Sequence, residues 1–543
     1  MSPAAGPNSL IPQLRDHLGF RRMETGIGVL SAHTAALEFL DPREPDAGIL
    51  VGLVAQWVDA GFAGPDLVRK LLVRFPVPRR AELPLRDYLH LRLAEGMVAM
   101  MDEDFEPATQ HFRLVQSLRC DVNDAELLAI SNFWMARCLR HTGRYDDALG
   151  FAVEGRRLAL EAGYPPMAAL MQVLESWLAF QKGRLNEAVR VLREAESVLS
   201  QTDDFVTCGN IQSAYGRIAR RQSRHEAALE HFDRAIAEFE RWDPEHLHKA
   251  RTLVNIAVVE RLIALGRQKA IDRASAQRRA DSGRNPGEPP RSARSEIERL
   301  HSDARARLAQ ALEIYTGHRH HRGIGSVHIN SGLLQLDGGD LEGAFCHAAE
   351  AFSQGEERRD LILLARARVL QCTVENARFE EQIGEDPACH ARCAAAFARD
   401  AVEYAAQTQN PRLLARAYIC QGLTFAAGPA GDLEAARRCC RQAIALLEPE
   451  GLEGLAGWDE LEILKSRVLR DQPIDPLLRA WSNGVVEDRS FQQLTEEFAR
   501  IVIPKVWERE DRKVARVAKR LSISPKKVRR ILQSAGVREK HDV

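Results

Sequence analysis

Residues 215–235 read YGRIARRQSRHEAALEHFDRA. Tyr215 and Gly216 precede a polar turn, and Ala228, Phe232 and Ala235 follow it at spacings of four and three. Residues three and four apart share one face of a helix. The stretch therefore predicts two helices folded back on each other. Small residues stand where the backbones approach, and an aromatic fills the gap between turns.

The phrase recurs. Ala108, Ala148, Ala188 and Ala228 follow one another at a constant interval, each closing a version of one turn: DEDFEPA, HTGRYDDA, QKGRLNEA and RQSRHEAA. Later copies are GGDLEGA ending at Ala344 and PAGDLEAA ending at Ala436, after wider gaps that leave room for more divergent copies. Gly332, Ala344, Ala348 and Ala351 repeat the small-residue pattern. Strand-like alternation is nearly absent, and a period of 3.6 dominates from about Asp87 to Glu448. Helix pairs are expected near 86–118, 124–162, 166–200, 205–241, 246–316, 322–357, 361–408 and 411–448.

This grammar resembles the tetratricopeptide (TPR) repeat, with a period longer than its usual ~34 residues. A HEAT-type array, whose period is ~40–47, is the rival; the Gly–Ala–Phe–Ala spacing favours TPR. The resemblance implies an all-α fold: a superhelical TPR-like α-solenoid of about eight helix pairs, with a groove for a protein or peptide. It is similar to the elongated arrays attached to some bacterial transcription regulators.

Residues 1–85 are helical in pattern but lack the repeat grammar, so they are expected to cap the array, which spans 86–450. Gly266–Arg294, GRQKAIDRASAQRRADSGRNPGEPPRSAR, is rich in Arg, Ser, Gly and Pro and poor in large apolar groups. It predicts a mobile basic insertion over 266–295, because so little apolar surface does not offset the entropy of ordering. Residues 451–486 read as a closing helix and linker broken by Pro473 and Pro476.

Charge divides the chain unevenly. Its net charge is −1, yet residues 505–541 hold 13 of the 75 Lys and Arg and only 4 of the 76 Asp and Glu. An acidic body with a basic end points to nucleic-acid contact. The final segment, 487–543, has a geometry to match. Ser490 is a candidate N-cap for a helix carrying Phe491, Leu494, Phe498, Ile501 and Val502 along one stripe, with a kink expected at Pro504. A short helix near 512–520 turns Val514, Val517 and Ala518 inward. After Leu521-Ser522-Ile523, Ser524 caps a second helix with Pro525 at its first position. Val528, Ile531 and Leu532 form its buried face, Gly536 ends it, and Lys526, Lys527, Arg529 and Arg530 face away. This is the spacing of a helix-turn-helix.

Residues 490–537 resemble the Fis-type DNA-binding domain that ends many bacterial enhancer-binding activators. Glu496-Glu497-Phe498-Ala499-Arg500 matches its EEFER-like start, Val517-Ala518 its alanine pair, Leu521-Ser522-Ile523-Ser524 its LGIS turn and Gly536-Val537 its end. Arg512-Lys513 stands in place of Gly-Asn, Ser522 in place of the turn glycine, and Pro525 where Arg is usual. The resemblance implies binding of double-stranded DNA through Arg512, Lys513, Ser524, Lys526, Lys527, Arg529 and Arg530. It also implies a homodimer through Phe491, Leu494, Phe498, Ile501 and Val502.

No GxxxxGK[ST] loop accompanies this segment, so the ATPase usual in such activators is missing. No Ser–His–Asp order or GxSxG elbow stands out. Cys389 and Cys393 stand at i,i+4 without a matching second pair, and His318, His320, His321 and His328 cluster at a helix-pair junction, where a polar loop is the alternative to a metal site. The ten scattered cysteines suit a reducing cytoplasm. The N-terminus lacks the form of a secretory signal, and no run of ~18 apolar residues reads as a membrane span. The sequence thus predicts a cytoplasmic, non-enzymatic transcription regulator with no cofactor, catalytic residue or metal. The alternative is a TPR interaction scaffold without DNA binding.

Overall fold

The structure, a computed structural model, describes residues 7–122, 124–282, 291–427, 432–448, 459–470, 490–510 and 512–534. Among these residues every regular element is a helix. Six N-terminal helices come first: α1 (Pro7–Gly19), α2 (Met23–Ala32), α3 (Thr34–Glu38), α4 (Ala47–Asp59), α5 (Pro65–Val73) and α6 (Val77–Arg80). Eight antiparallel pairs follow. They are α7 (Leu85–Met101) with α8 (Phe105–Ser117), α9 (Ala125–His141) with α10 (Tyr145–Glu161), α11 (Pro165–Gln181) with α12 (Leu185–Leu199), and α13 (Phe205–Arg221) with α14 (His225–Trp242). The second four are α15 (Leu247–Ser282) with α16 (Arg291–Gly317), α17 (His321–Asp337) with α18 (Leu341–Arg358), α19 (Leu361–Glu380) with α20 (Pro387–Ala406), and α21 (Pro411–Ala427) with α22 (Leu433–Leu447). The chain ends with α23 (Asp459–Arg470), α24 (Phe491–Arg509), α25 (Val514–Leu521) and α26 (Pro525–Ser534). Two compact units result, residues 1–464 and 465–543.

The period of the repeat has a backbone cause. Glu103, Gly143, Gly183 and Ser223, each one period after the last, all adopt a left-handed conformation with φ between 58° and 80°. The next residue donates back across the turn, as in Asp104 N to Ala99 O and Arg144 N to Leu139 O, at 2.9 and 2.8 Å. That bond satisfies carbonyls a helix end leaves open. Shortly past each left-handed position comes the alanine of the repeat, and Ala108, Ala148, Ala188 and Ala228 are all fully buried. A second small residue keeps the same step on the first helix of each pair: Gly96, Ala136, Ser176 and Gly216. A Cβ on Gly96 or Gly216 would stand 2.4 or 2.5 Å from Phe112 or Phe232, so the aromatic rests on bare backbone. Both rings are fully buried.

One expectation is corrected. Residues 266–282 and 291–295, read as part of a mobile loop, lie within α15 and α16; residues 283–290 lie outside the described residues. Alanine, arginine, glutamine and lysine there favour helix, and the two long helices face each other, with an Arg267–Glu296 ion pair between them. The N-terminal helices do more than cap. Gly48 and Gly52 of α4 let it approach α7 at Asp87 and His90. Arg21 also reaches Asp204 at 2.7 Å, and Met23 N donates to Asp203, so this segment touches the fourth pair as well as the first.

Candidate functional site

In the second unit, α25 and α26 pack on α24 around Ile503, Trp507, Val517, Ala518, Val528, Ile531 and Leu532. Ser490 caps α24 with a reciprocal pair of bonds to Gln493, and the helix continues through Pro504 to Arg509. Ser522 adopts φ 53° between α25 and α26, taking the left-handed turn that glycine would otherwise fill. Arg512 does the same before α25, at φ 60°, with its guanidinium 5.7 Å from the Trp507 ring centre. Ser524 accepts from Lys527 N at 3.2 Å, as a cap should, and is exposed.

Lys526, Lys527, Arg529 and Arg530 are all exposed on α26, opposite its three buried apolar residues, and Arg512 and Lys513 are exposed at the start of α25. Leu494, Phe498, Ile501 and Val502 lie outside the apolar core of this unit, with Phe498 half exposed. The Phe491 side chain, Gly536, Val537 and the two linker prolines lie outside the described residues.

The first unit contains a feature that sequence reading missed. A cavity of about 130 Å³ opens between its N-terminal segment and helices α9, α11, α13 and α15. Arg137, Arg140, Arg217 and Arg251 line it, with Phe133, Trp177 and His248. Arg137 is paired with Asp59 at 2.5 Å. The others bond to neutral acceptors: Arg140 to His141 Nε2 at 3.2 Å, Arg217 to Ser213 O at 3.3 Å and Arg251 to Asn210 Oδ1 at 2.6 Å. Arg220 and Arg221 continue the row, on Asn255 Oδ1 at 2.8 Å and Phe180 O at 2.5 Å.

These side chains feel one another. Burial, then Arg137, Arg251 and Arg322, pull Arg140 down to about 9. Burial and the neighbouring arginines hold Arg217 well below its ordinary range. Burial pulls Arg220 down to about 10, and burial with Arg220 pulls Arg221 down to about 9. Further along, burial, then Arg221, Arg416 and Arg220, pull Arg412 down to about 9, and burial, then Arg416, lower Arg366 to about 10. A guanidinium stays protonated at physiological pH. The downward pull is therefore first the cost of burying the guanidiniums, to which neighbouring arginines add at Arg140, Arg217, Arg221, Arg366 and Arg412.

The repeat explains how these residues come together. Positions 137, 177 and 217 hold Arg, Trp and Arg, and positions 140, 180 and 220 hold Arg, Phe and Arg. Arg140 lies over Trp177 at 5.0 Å, and Arg221 lies over Phe180 at 3.7 Å. The arrangement can bind an anion. Elsewhere, His328 meets His347 at 2.9 Å and His390 meets Glu375 at 2.6 Å. No group of three or more potential metal-binding side chains stands among the described residues. No described helix is long and apolar enough to cross a membrane.

Residues 207–273 match the family model described as tetratricopeptide repeat. The match covers α13, α14 and most of α15, the stretch with the clearest small–aromatic–small spacing. No curated protein sequence matches the chain. Among solved structures, a Rap protein complexed with competence and sporulation factor aligns over 73% of this chain and 98% of its own, at 12% identity and TM-score 0.50. The apo form of the quorum sensor NprR from B. thuringiensis aligns over 72% and 98%, at 12% identity and TM-score 0.47. The human IFIT1 dimer with m7Gppp-AAAA aligns over 82% and 96%, at 12% identity and TM-score 0.45. The likeness to the Rap protein is one of fold: an all-α superhelical array.

Proposed function

We propose that the protein is a DNA-binding transcription regulator in which a TPR-like array docks a partner or effector and the C-terminal unit binds double-stranded DNA as a homodimer. One observation carries the DNA assignment. Four non-core positions of α26, Lys526, Lys527, Arg529 and Arg530, present their charge to solvent while Val528, Ile531 and Leu532 fix the helix from behind. A recognition helix needs that division, because phosphate and base contacts require a rigid, exposed cationic face. Arg512, Lys513 and Ser524 stand at the two helix starts and would meet phosphates. The partly exposed stripe of Leu494, Phe498, Ile501 and Val502 supports pairing of two copies through α24. The assignment includes no catalytic step.

Fluorescence anisotropy of labelled duplex with the full chain tests this. Parent protein is expected to bind with a steep salt dependence, its slope on a log–log plot rising by about 0.9 for each phosphate neutralised. The variant K526A/K527A/R529A/R530A is expected to lose most of that affinity and slope. Unchanged binding by the variant at matched salt would overturn the proposal and favour an interaction scaffold.

A further inference from the structure

We propose that the arginine-lined cavity of the first unit binds a ligand carrying several phosphate groups, either a nucleoside polyphosphate or the phosphorylated end of a single nucleic-acid strand. The inference is independent of DNA binding by the second unit. Its first support is charge. Arg140, Arg217, Arg220, Arg221 and Arg251 form no ion pair among the described residues, and their bonds go to neutral acceptors. Of these, Arg140, Arg217 and Arg251 line the cavity; one carboxylate would answer one or two of them, and a chain of phosphates would answer all three. The guanidinium fork also matches a pair of phosphate oxygens in two parallel bonds.

The second support is preorganisation. Trp177 and Phe180 lie beneath Arg140 and Arg221, so the aromatic faces hold the guanidiniums in place without neutralising them. The third support separates phosphate from an extended peptide. A peptide backbone offers both N–H and C=O groups, which side-chain amides with free donors and acceptors would have to meet. Here Asn210 and Asn255 already give their Oδ1 atoms to Arg251 and Arg220, and Asn255 Nδ2 donates to Arg251 O at 2.9 Å. Those two amide oxygens are committed to orienting arginine, whereas Gln56 Oε1 and His248 Nδ1 in the lining have no hydrogen-bond partner, so the peptide arm of the titration decides between the two ligand classes. Buried arginines that face a cavity without a carboxylate partner leave a counter-charge for a ligand to supply.

The test uses the full chain with Lys526, Lys527, Arg529 and Arg530 changed to alanine, which removes the exposed basic face of α26. Isothermal titration is run with ATP, with inorganic triphosphate, with a 5′-phosphorylated single-stranded oligonucleotide, and with an acidic peptide of equal charge. Binding of at least one phosphate ligand is expected, stronger than that of the peptide. The arm that binds best separates the free nucleotide from the strand end. Adding Arg140→Gln and Arg217→Gln should weaken that binding by about tenfold or more, as expected for losing charge-assisted hydrogen bonds. The same pair should leave the ligand-free Tm unchanged or higher, because repulsion is relieved. Were the pair to melt lower, Arg217→Lys would decide: weaker binding at unchanged Tm supports the site, and unchanged binding overturns it. The proposal also fails if no phosphate ligand binds, if the double variant binds as well as its parent, or if the peptide binds more tightly.

Discussion

His90 is buried on α7, 2% exposed, and neither ring nitrogen has a hydrogen-bond partner. Its ring fills the space over Gly52, where a Cβ would stand 2.6 Å from Nδ1. Burial, opposed by Asp124 and aided by Arg15 and Arg86, lowers its pKa to about 3. An unfolded histidine titrates near 6.5. Between those values the unfolded chain holds the extra proton, so this contribution to stability is complete above about pH 6.5 and is lost as pH falls toward 3. By pH 5 the loss amounts to about 2 kcal/mol. Nearby Glu126 acts in the opposite sense. Burial raises it to about 7, so its contribution is complete below its unfolded value and is lost as pH rises through 7. Thermal melts of His90→Leu at pH 7 and pH 5 isolate the histidine. The drop between the two is expected to shrink by the equivalent of that loss, and an unchanged drop would exclude His90 as an acid-sensitive group. None of this was legible in the sequence, where His90 is one histidine in an ordinary helical pattern. Its burial comes from Gly52, a glycine on a different helix.

Turns and helices were legible where local chemistry is decisive. The alanine period identified the repeat because one left-handed residue closes the first helix at Glu103, Gly143, Gly183 and Ser223 alike. The boundaries of the eight pairs followed from it. The segment around Gly266 was misread because scarcity of apolar residues was weighed above helix propensity; two exposed helices that support each other need few buried groups. The arginine wall was missed for another reason. Arg137 and Arg217, or Arg140 and Arg220, look like solvated faces until superhelical stacking turns them inward. Their separation, twice the repeat, was the available signal. The turn between α25 and α26 offers a test at this scale. Ser522 is left-handed, which costs an L residue about 1 kcal/mol that glycine avoids. Ser522→Gly should therefore stabilise the second unit by about that amount. Slower amide exchange at Val528, Ile531 and Leu532 is the expected readout. Faster exchange would mean that the serine side chain contributes more than its backbone costs.

Across the first unit, the array does not behave as a simple chain of neighbours. In an open solenoid each repeat touches only the next, and stability is close to a sum of local terms. Here the turn after α7 meets the start of α17, five pairs further along: Glu103 accepts from His321 N at 2.6 Å and Arg322 N at 3.4 Å. The turn after α9 meets the start of α21 in the same way, with Gln409 N donating to Gly143 O at 2.8 Å and Asn410 to the Tyr145 hydroxyl at 3.2 Å. Arg322 ties these contacts together, reaching His141 O at 2.7 Å and Asp360 at 2.5 Å. The superhelix thus closes on itself, and residues far apart in sequence come to share one unfolding event. Glu103 also places a negative charge at the N-terminus of α17, where the helix dipole favours it. Glu103→Ala leaves two backbone donors without their acceptor, at a cost of about 1–3 kcal/mol. Its effect should follow the closure rather than the sequence. Amide exchange should quicken at residues 320–324 and also at 141–145, while the intervening pair α11–α12 keeps its protection. A loss confined to residues 99–108 would instead mean that each repeat stands alone, and that closure contributes nothing to the stability of the arginine wall.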